Sequence, residues 1–122
     1  MSQPGDAASL SPEITIEDFQ RVDIRVGRVL SAEPLAGARK PAYALRLDFG
    51  PEIGVKQSSA QVTVHYTPEA LVGTLVLAVV NFPPRRIAGF RSEVLTLGVP
   101  DENGAVILIA PRACAPLGAR LF

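Results

Sequence analysis

What the chain has little of narrows its chemistry first. Tryptophan is absent, and cysteine and histidine occur once each, as Cys114 and His65. A single cysteine forms no intrachain disulfide, so nothing demands an oxidising compartment. A lone histidine with a distant cysteine does not make a metal site. No second His or Cys is available to activate a serine, and neither a glycine-rich phosphate loop nor a G-x-S-x-G motif is present. The acids fall in turns, on outward strand positions and at helix starts, with no pairing suited to acid/base work. These absences predict a binding protein with no catalytic residues, no metal and no cofactor. Lys+Arg and Asp+Glu both total 12, giving a formal net charge of zero, so long-range attraction to a polyanion or an anionic membrane is not the dominant force and any such binding must come from local clustering. Apolar runs such as 75–80 are far too short to span a bilayer. The N-terminal stretch carries neither a basic n-region nor an apolar h-region, so no secretory signal and no membrane insertion are expected, and a cytoplasmic location is.

What is present reads as one small domain able to bury a core without metal or disulfide. Residues 1–13, small and polar with two prolines, read as a disordered tail, leaving 14–122 as the folded unit. Thr15 is placed to cap a short helix over Ile16 to Gln20, with Asp18 at N3 and an Ile14–Phe19 hydrophobic staple. From Val22 apolar and polar residues alternate, predicting a half-buried strand. After Gly27 the phase flips by one residue, predicting a bulge there. Tyr43, Leu45, Leu47 and Phe49 predict a second strand, and a third is expected over Ile53 to Ser58, followed by an irregular Ser58-Ser59-Ala60-Gln61. Thr67-Pro68 through Gly73 reads as a short helix with Thr at N-cap, Pro at N1 and Gly at C′. Leu75 to Val80 and Val106 to Ala110 are apolar throughout, so both faces of those strands are expected to be covered. The cover is either the terminal helix or a second copy of the chain, and a mean hydropathy of +0.25 favours the second copy. Glu93 to Val99 predicts a further strand, joined to Val106–Ala110 by a hairpin turn at Asn103-Gly104. Leu121-Phe122 is too apolar to be expected free in water. Three strands, a helix, two more strands and terminal extensions predict an all-β protein with short helices: a five-stranded OB-fold barrel with an N-terminal helix and a C-terminal extension.

Candidate binding residues concentrate after the fourth strand. Pro83-Pro84 ends that strand because neither residue has an N–H to donate. Arg85, Arg86 and Arg91 follow in the most basic short stretch, on what reads as a stiff loop. Ten of the 12 basic residues are arginines, Lys40 and Lys56 being the exceptions, a bias toward forked contacts with carboxylate or phosphate. Arg39, Lys40 and Lys56 lie where OB-folds hold ligands, Ser58 and Ser59 are possible hydrogen-bonding partners, and Phe82 and Phe90 are the more available aromatics. Tyr43 alternates with core positions and is expected to be buried. The shortage of aromatics argues against base stacking and permits apolar peptide side chains within an arginine rim.

Several motifs carry a resemblance: D-I-R-V-G at 23–27, A-R-K-P-A-Y at 38–43, D-F-G-P-E-I-G-V-K at 48–56, S-S-A-Q at 58–61, Y-T-P-E-A-L-V-G at 66–73, V-V-N-F-P-P-R at 79–85 and F-R-S-E-V-L-T-L-G at 90–98. In this order the chain resembles the CsaA-type export-related chaperones, within the wider tRNA-binding-domain family of OB-fold modules. The resemblance implies a homodimer whose terminal extensions help form the interface, binding of unfolded or presecretory polypeptides, and a link to the export machinery. The alternative it leaves is tRNA binding through Lys40, Lys56, Arg85, Arg86 and Arg91. The loop Pro34 to Pro41, with Ala38-Arg39-Lys40, has the chaperone-like form rather than the H-P-x-A-D-K-L-like form of the tRNA-binding modules.

Overall fold

The structure, a computed structural model, describes residues 9–122; residues 1–8 of the expected tail lie outside the described residues, and 9–13 are exposed and carry no regular structure. Helix α1 (Ile16–Gln20) starts where its sequence says it should, with Thr15 Oγ1 accepting from the Asp18 N–H and the Asp18 carboxylate accepting from the Thr15 N–H. This reciprocal capping satisfies two of the donors that a helix start leaves unpaired. The staple forms only in part, because Ile14 stays exposed while Phe19 packs inward.

Strands β1 (Ile24–Pro34), β2 (Tyr43–Asp48), β3 (Val55–Ala60), β4 (Leu75–Val79) and β7 (Leu95–Thr96) form one antiparallel sheet in the order β3-β2-β1-β4-β7. Helix α2 (Pro68–Leu71) lies between β3 and β4 in the chain, with Thr67 as N-cap and Gly73 at positive φ just beyond the end. The sheet curls until β3 meets the segment before β7. Glu93 N–H donates to Gln57 O at 2.8 Å, Ser59 N–H donates to Ser92 Oγ at 3.0 Å, and Thr96 Oγ1 donates to Ser58 Oγ at 2.8 Å. The result is the nearly closed five-stranded OB-fold barrel the element order predicts.

The strand expected over Glu93 to Val99 is broken into pieces. Strands β5 (Arg85–Ile87) and β6 (Phe90–Ser92) form a separate hairpin, so the basic stretch is a β-ribbon and not a loop. Strands β8 (Gly98–Pro100) and β9 (Val106–Leu108) form another, turning at Asn103-Gly104, where Asp101 Oδ1 accepts from the N–H groups of Asn103 and Ala105. Strand β3 begins two residues later than expected. Gly54 N–H still bonds back to Gly50 O, and this keeps Ile53 and Gly54 in the turn.

Two apolar clusters explain the pattern of β1 and β4. Inside the barrel, Val29, Leu45, Leu47, Phe49, Val76 and Ala78 pack together. Outside it, Ile24, Val26, Leu77 and Val79 pack against Phe19, Ala119 and Leu121. The outer face of β4 is therefore covered by helix α1 and the C-terminal segment of the same chain, and not by a second copy as its hydropathy suggested. Beyond the terminal cover, Ile107 on β9 is 40% exposed in the single chain. Leu121 packs as expected, while Phe122 is fully exposed.

The phase flip at Gly27 has the same origin. Ile24 and Val26 face the outer cluster, Val29 faces the barrel, and beyond Val26 the outer face loses its cover. No bulge sits at Gly27; the register slips between Val29 and Ser31. Gly27 is needed for another reason, since a Cβ there would lie 2.7 Å from Phe49 Cε1.

Candidate functional site

The β5–β6 ribbon is entered through Phe82-Pro83-Pro84 and turns at Ala88-Gly89, where φ is +53° and +79°. Two central residues at positive φ give a turn whose twist matches that of its strands. The ribbon tip approaches the loop before β2, where the position a Cβ would take on Gly37 lies 3.7 Å from the Ala88 methyl. This approach makes two lips from segments far apart in sequence.

Between the lips lies a cleft of about 900 Å³ lined by Arg39, Lys40, Ser59, Gln61, Arg85, Arg86 and Ile87, with no acidic side chain on its wall. Arg86 Nη1 donates to Gly89 O at 3.3 Å, and none of the four cations is in an ion pair among the described residues. A second cleft of about 380 Å³ shares Ser59, Gln61, Arg85 and Ile87 with the first and continues past Phe82, Pro83, Glu93, Val94, Leu95 and Val106. The two form one groove, with cations and no acid at one end and apolar side chains beside Glu93 at the other. Phe82, on the wall of the second cleft, is 49% exposed.

The expected site residues divide accordingly. Arg39, Lys40, Ser59, Phe82, Arg85 and Arg86 come together in the groove. Phe90 is opposite Ile87 and Arg91 opposite Arg86 in the ribbon, and neither lines the groove. Arg86 and Arg91, like charges directly opposite one another, are mutually destabilising without an anion between them. Arg91 has only a loose partner in Glu93, at 4.0 Å. Lys56 is opposite Leu47 on β3, away from both clefts.

Ser58 departs furthest from expectation. It is 0% exposed, donates to Val94 O at 3.2 Å and accepts from Thr96. Strand alternation, in a segment the sequence suggested was irregular, turns Ser58 into the barrel and leaves Ser59 on the groove. Sequence reasoning missed Gln61, Ile87 and Val106 as lining residues; only the ribbon's fold-back brings them together.

Away from the groove, His65 Nε2 lies 2.7 Å from Asp101 Oδ2, tying the segment before α2 to the β8–β9 turn. This hydrogen bond, then those from the Ala105 and Asn103 N–H groups, holds the Asp101 carboxyl below its ordinary value. Asp23, by accepting from Arg25, raises that guanidinium above its ordinary value. Among the described residues no group of three or more His, Cys, Asp or Glu is arranged to hold a metal, and no helix is long and apolar enough to cross a membrane.

An OB-fold barrel with a basic ribbon and groove defines a ligand-binding module. The putative tRNA binding domain model matches residues 24–120. The solved chaperone CsaA from Bacillus anthracis is 50% identical, with a TM-score of 0.85 over 91% of this chain and 100% of that one. CsaA from Picrophilus torridus is 44% identical, with a TM-score of 0.84 over 90% and 100%. Methionine–tRNA ligase from Porphyromonas gingivalis is 36% identical over 115 residues, 94% of this chain but 16% of the ligase. The chain thus spans about one-sixth of the length of that relative. The chain belongs to the tRNA-binding-domain family, as a member of the CsaA type.

Proposed function

We propose that this chain is a non-enzymatic chaperone that holds unfolded or pre-export polypeptide segments. One observation carries the reading: the groove joins an apolar end at Phe82 and Val106 to a cationic end at Arg39 and Lys40. An extended segment has both side-chain types to offer, and its apolar groups gain by leaving water. The likeness to two solved CsaA chaperones supports it. The protein works as a cytoplasmic homodimer in this reading, with a role in export. The terminal region supports an interface there, because Ile16 and Phe122 are exposed beside a hollow of about 510 Å³ that also takes in Phe19 and Val22.

The test is suppression of aggregation of a chemically unfolded client by the purified chain, with mass measured across concentration. Suppression at near-stoichiometric ratio and a dimer mass are expected; absence of suppression at every ratio overturns the reading.

A second reading, tRNA binding, draws on the family match and on four cations gathered without an acid. Phosphate contacts would make the affinity fall steeply with salt, whereas a client held by apolar contacts would be nearly insensitive to it. A salt series with total tRNA and with an unfolded client separates the two.

A further inference from the structure

The two ends of the groove differ in what they reward. Val94, Val106 and Pro83 line one end with Phe82 and with Glu93, whose Oε1 accepts from the Gln57 N–H, while Arg39, Lys40 and Arg86 line the other. The middle is common to both: Ser59 and Gln61, two apart on the edge of the barrel, face Arg85 and Ile87, two apart on β5. Two residues of strand span roughly 6.6 Å, and side chains at i, i+2 and i+4 of an extended segment share a face. A client lying along the groove therefore presents one side chain to the apolar end and another, about two to four residues away, to the cationic end.

No acid lines the cationic end, so a lysine or arginine arriving there meets repulsion with no partner, while a carboxylate meets forked donors. We propose that the groove selects clients by charge order: it accepts extended segments in which an apolar residue is followed or preceded at that spacing by Asp or Glu, and rejects segments with Lys or Arg there. This rests on the polypeptide-binding reading and adds the sequence rule it lacks. A consequence is that strongly basic leader segments bind poorly and that acidic-apolar stretches elsewhere in a client are the ones held.

The test uses the full chain and three fluorescein-labelled nine-residue peptides, identical in an apolar anchor and differing at the spaced position in Asp, Ser or Lys. At low salt the Asp peptide is expected to bind about tenfold more tightly than the Lys peptide, with Ser between, and the spread should narrow at high salt. The double variant Arg39→Glu/Lys40→Glu, both positions exposed and outside the core, is expected to reverse the order, and Phe82→Ala to weaken all three alike. Equal affinity of the three peptides, or an order unchanged in the double variant, overturns the charge rule and leaves polypeptide binding standing. Absence of binding by all three overturns both. A uridine oligonucleotide or poly-glutamate binding as tightly as the Asp peptide, unaffected by Phe82→Ala, makes the cationic end a general polyanion site and likewise overturns the rule.

Discussion

Gly27 and Phe49 share one position in the barrel: the Phe49 ring, itself buried, occupies the space that any Cβ at residue 27 would need, at 2.7 Å from Cε1. The ring lies in the barrel cluster with Leu45, Leu47 and Val76 and is 1% exposed. Gly27→Ala should therefore cost about 1 to 3 kcal/mol by overpacking. Chemical denaturation measures it, and an unchanged midpoint would mean the ring is free to move.

Leu77 and Ile107 give the complementary comparison. Leu77 is 8% exposed in the outer cluster, whereas Ile107 is 40% exposed on β9. Leu77→Ala is expected to cost about 2 to 5 kcal/mol and Ile107→Ala less than about 1 kcal/mol, measured by urea unfolding.

Ala88 sits at φ +53° in the ribbon turn, where a Cβ is disfavoured. Ala88→Gly should stabilise the protein by about 0.5 to 1 kcal/mol, the relief of strain being partly offset by the freedom of Gly in the unfolded chain. Amide exchange in Arg86 to Arg91 should slow in the variant; faster exchange would contradict the turn geometry.

Asp101 governs a pH response. Its carboxyl lies below the ordinary 3.8, chiefly through His65. A carboxyl depressed in the folded state contributes stability that is complete above its unfolded pKa and is lost as pH falls through the folded one. Wild-type stability should thus decline at and below the ordinary carboxylate range, and Asp101→Asn, which can still accept the turn N–H groups, should flatten that decline. Parallel acid curves for the two proteins would remove Asp101 from the account.

If tRNA is bound, Arg39→Ala and Lys40→Ala should each reduce the log–log salt slope by about 0.7 to 0.9, the share of one neutralised phosphate. Lys56→Ala should leave it unchanged, because Lys56 lies off the groove. A filter-binding salt series decides this, and an equal reduction in all three would mean diffuse attraction rather than a site.

Local chemistry made the caps and turns legible. Thr15 with Asp18, Thr67-Pro68 with Gly73, and Asn103-Gly104 each act over a few residues, and each stands where the sequence puts it. The order of strands around α2 carried the barrel. Decisions made across the chain were hidden. Nothing within 75–80 says that its outer face is covered by α1 and residues near 119, and nothing near Arg85 says that Gly37 to Lys40 will face it. Ser58 and Ser59 were separable only by strand phase, which the expected end of the strand at Ser58 concealed, since β3 runs on to Ala60.

The closing of the outer cluster has a bearing on how the chain is made. The first half of β1, which β2 does not reach, is completed on that side by Gly118 N–H to Val26 O at 2.8 Å, Val26 N–H to Ala119 O at 3.0 Å and Leu121 N–H to Ile24 O at 2.9 Å. Arg25 reaches Gly118 O across 93 positions of sequence. Contacts this non-local slow folding and leave early segments waiting for late ones. During translation, β1 emerges with that edge unpaired and keeps it so until residues 118–121 have left the ribosome.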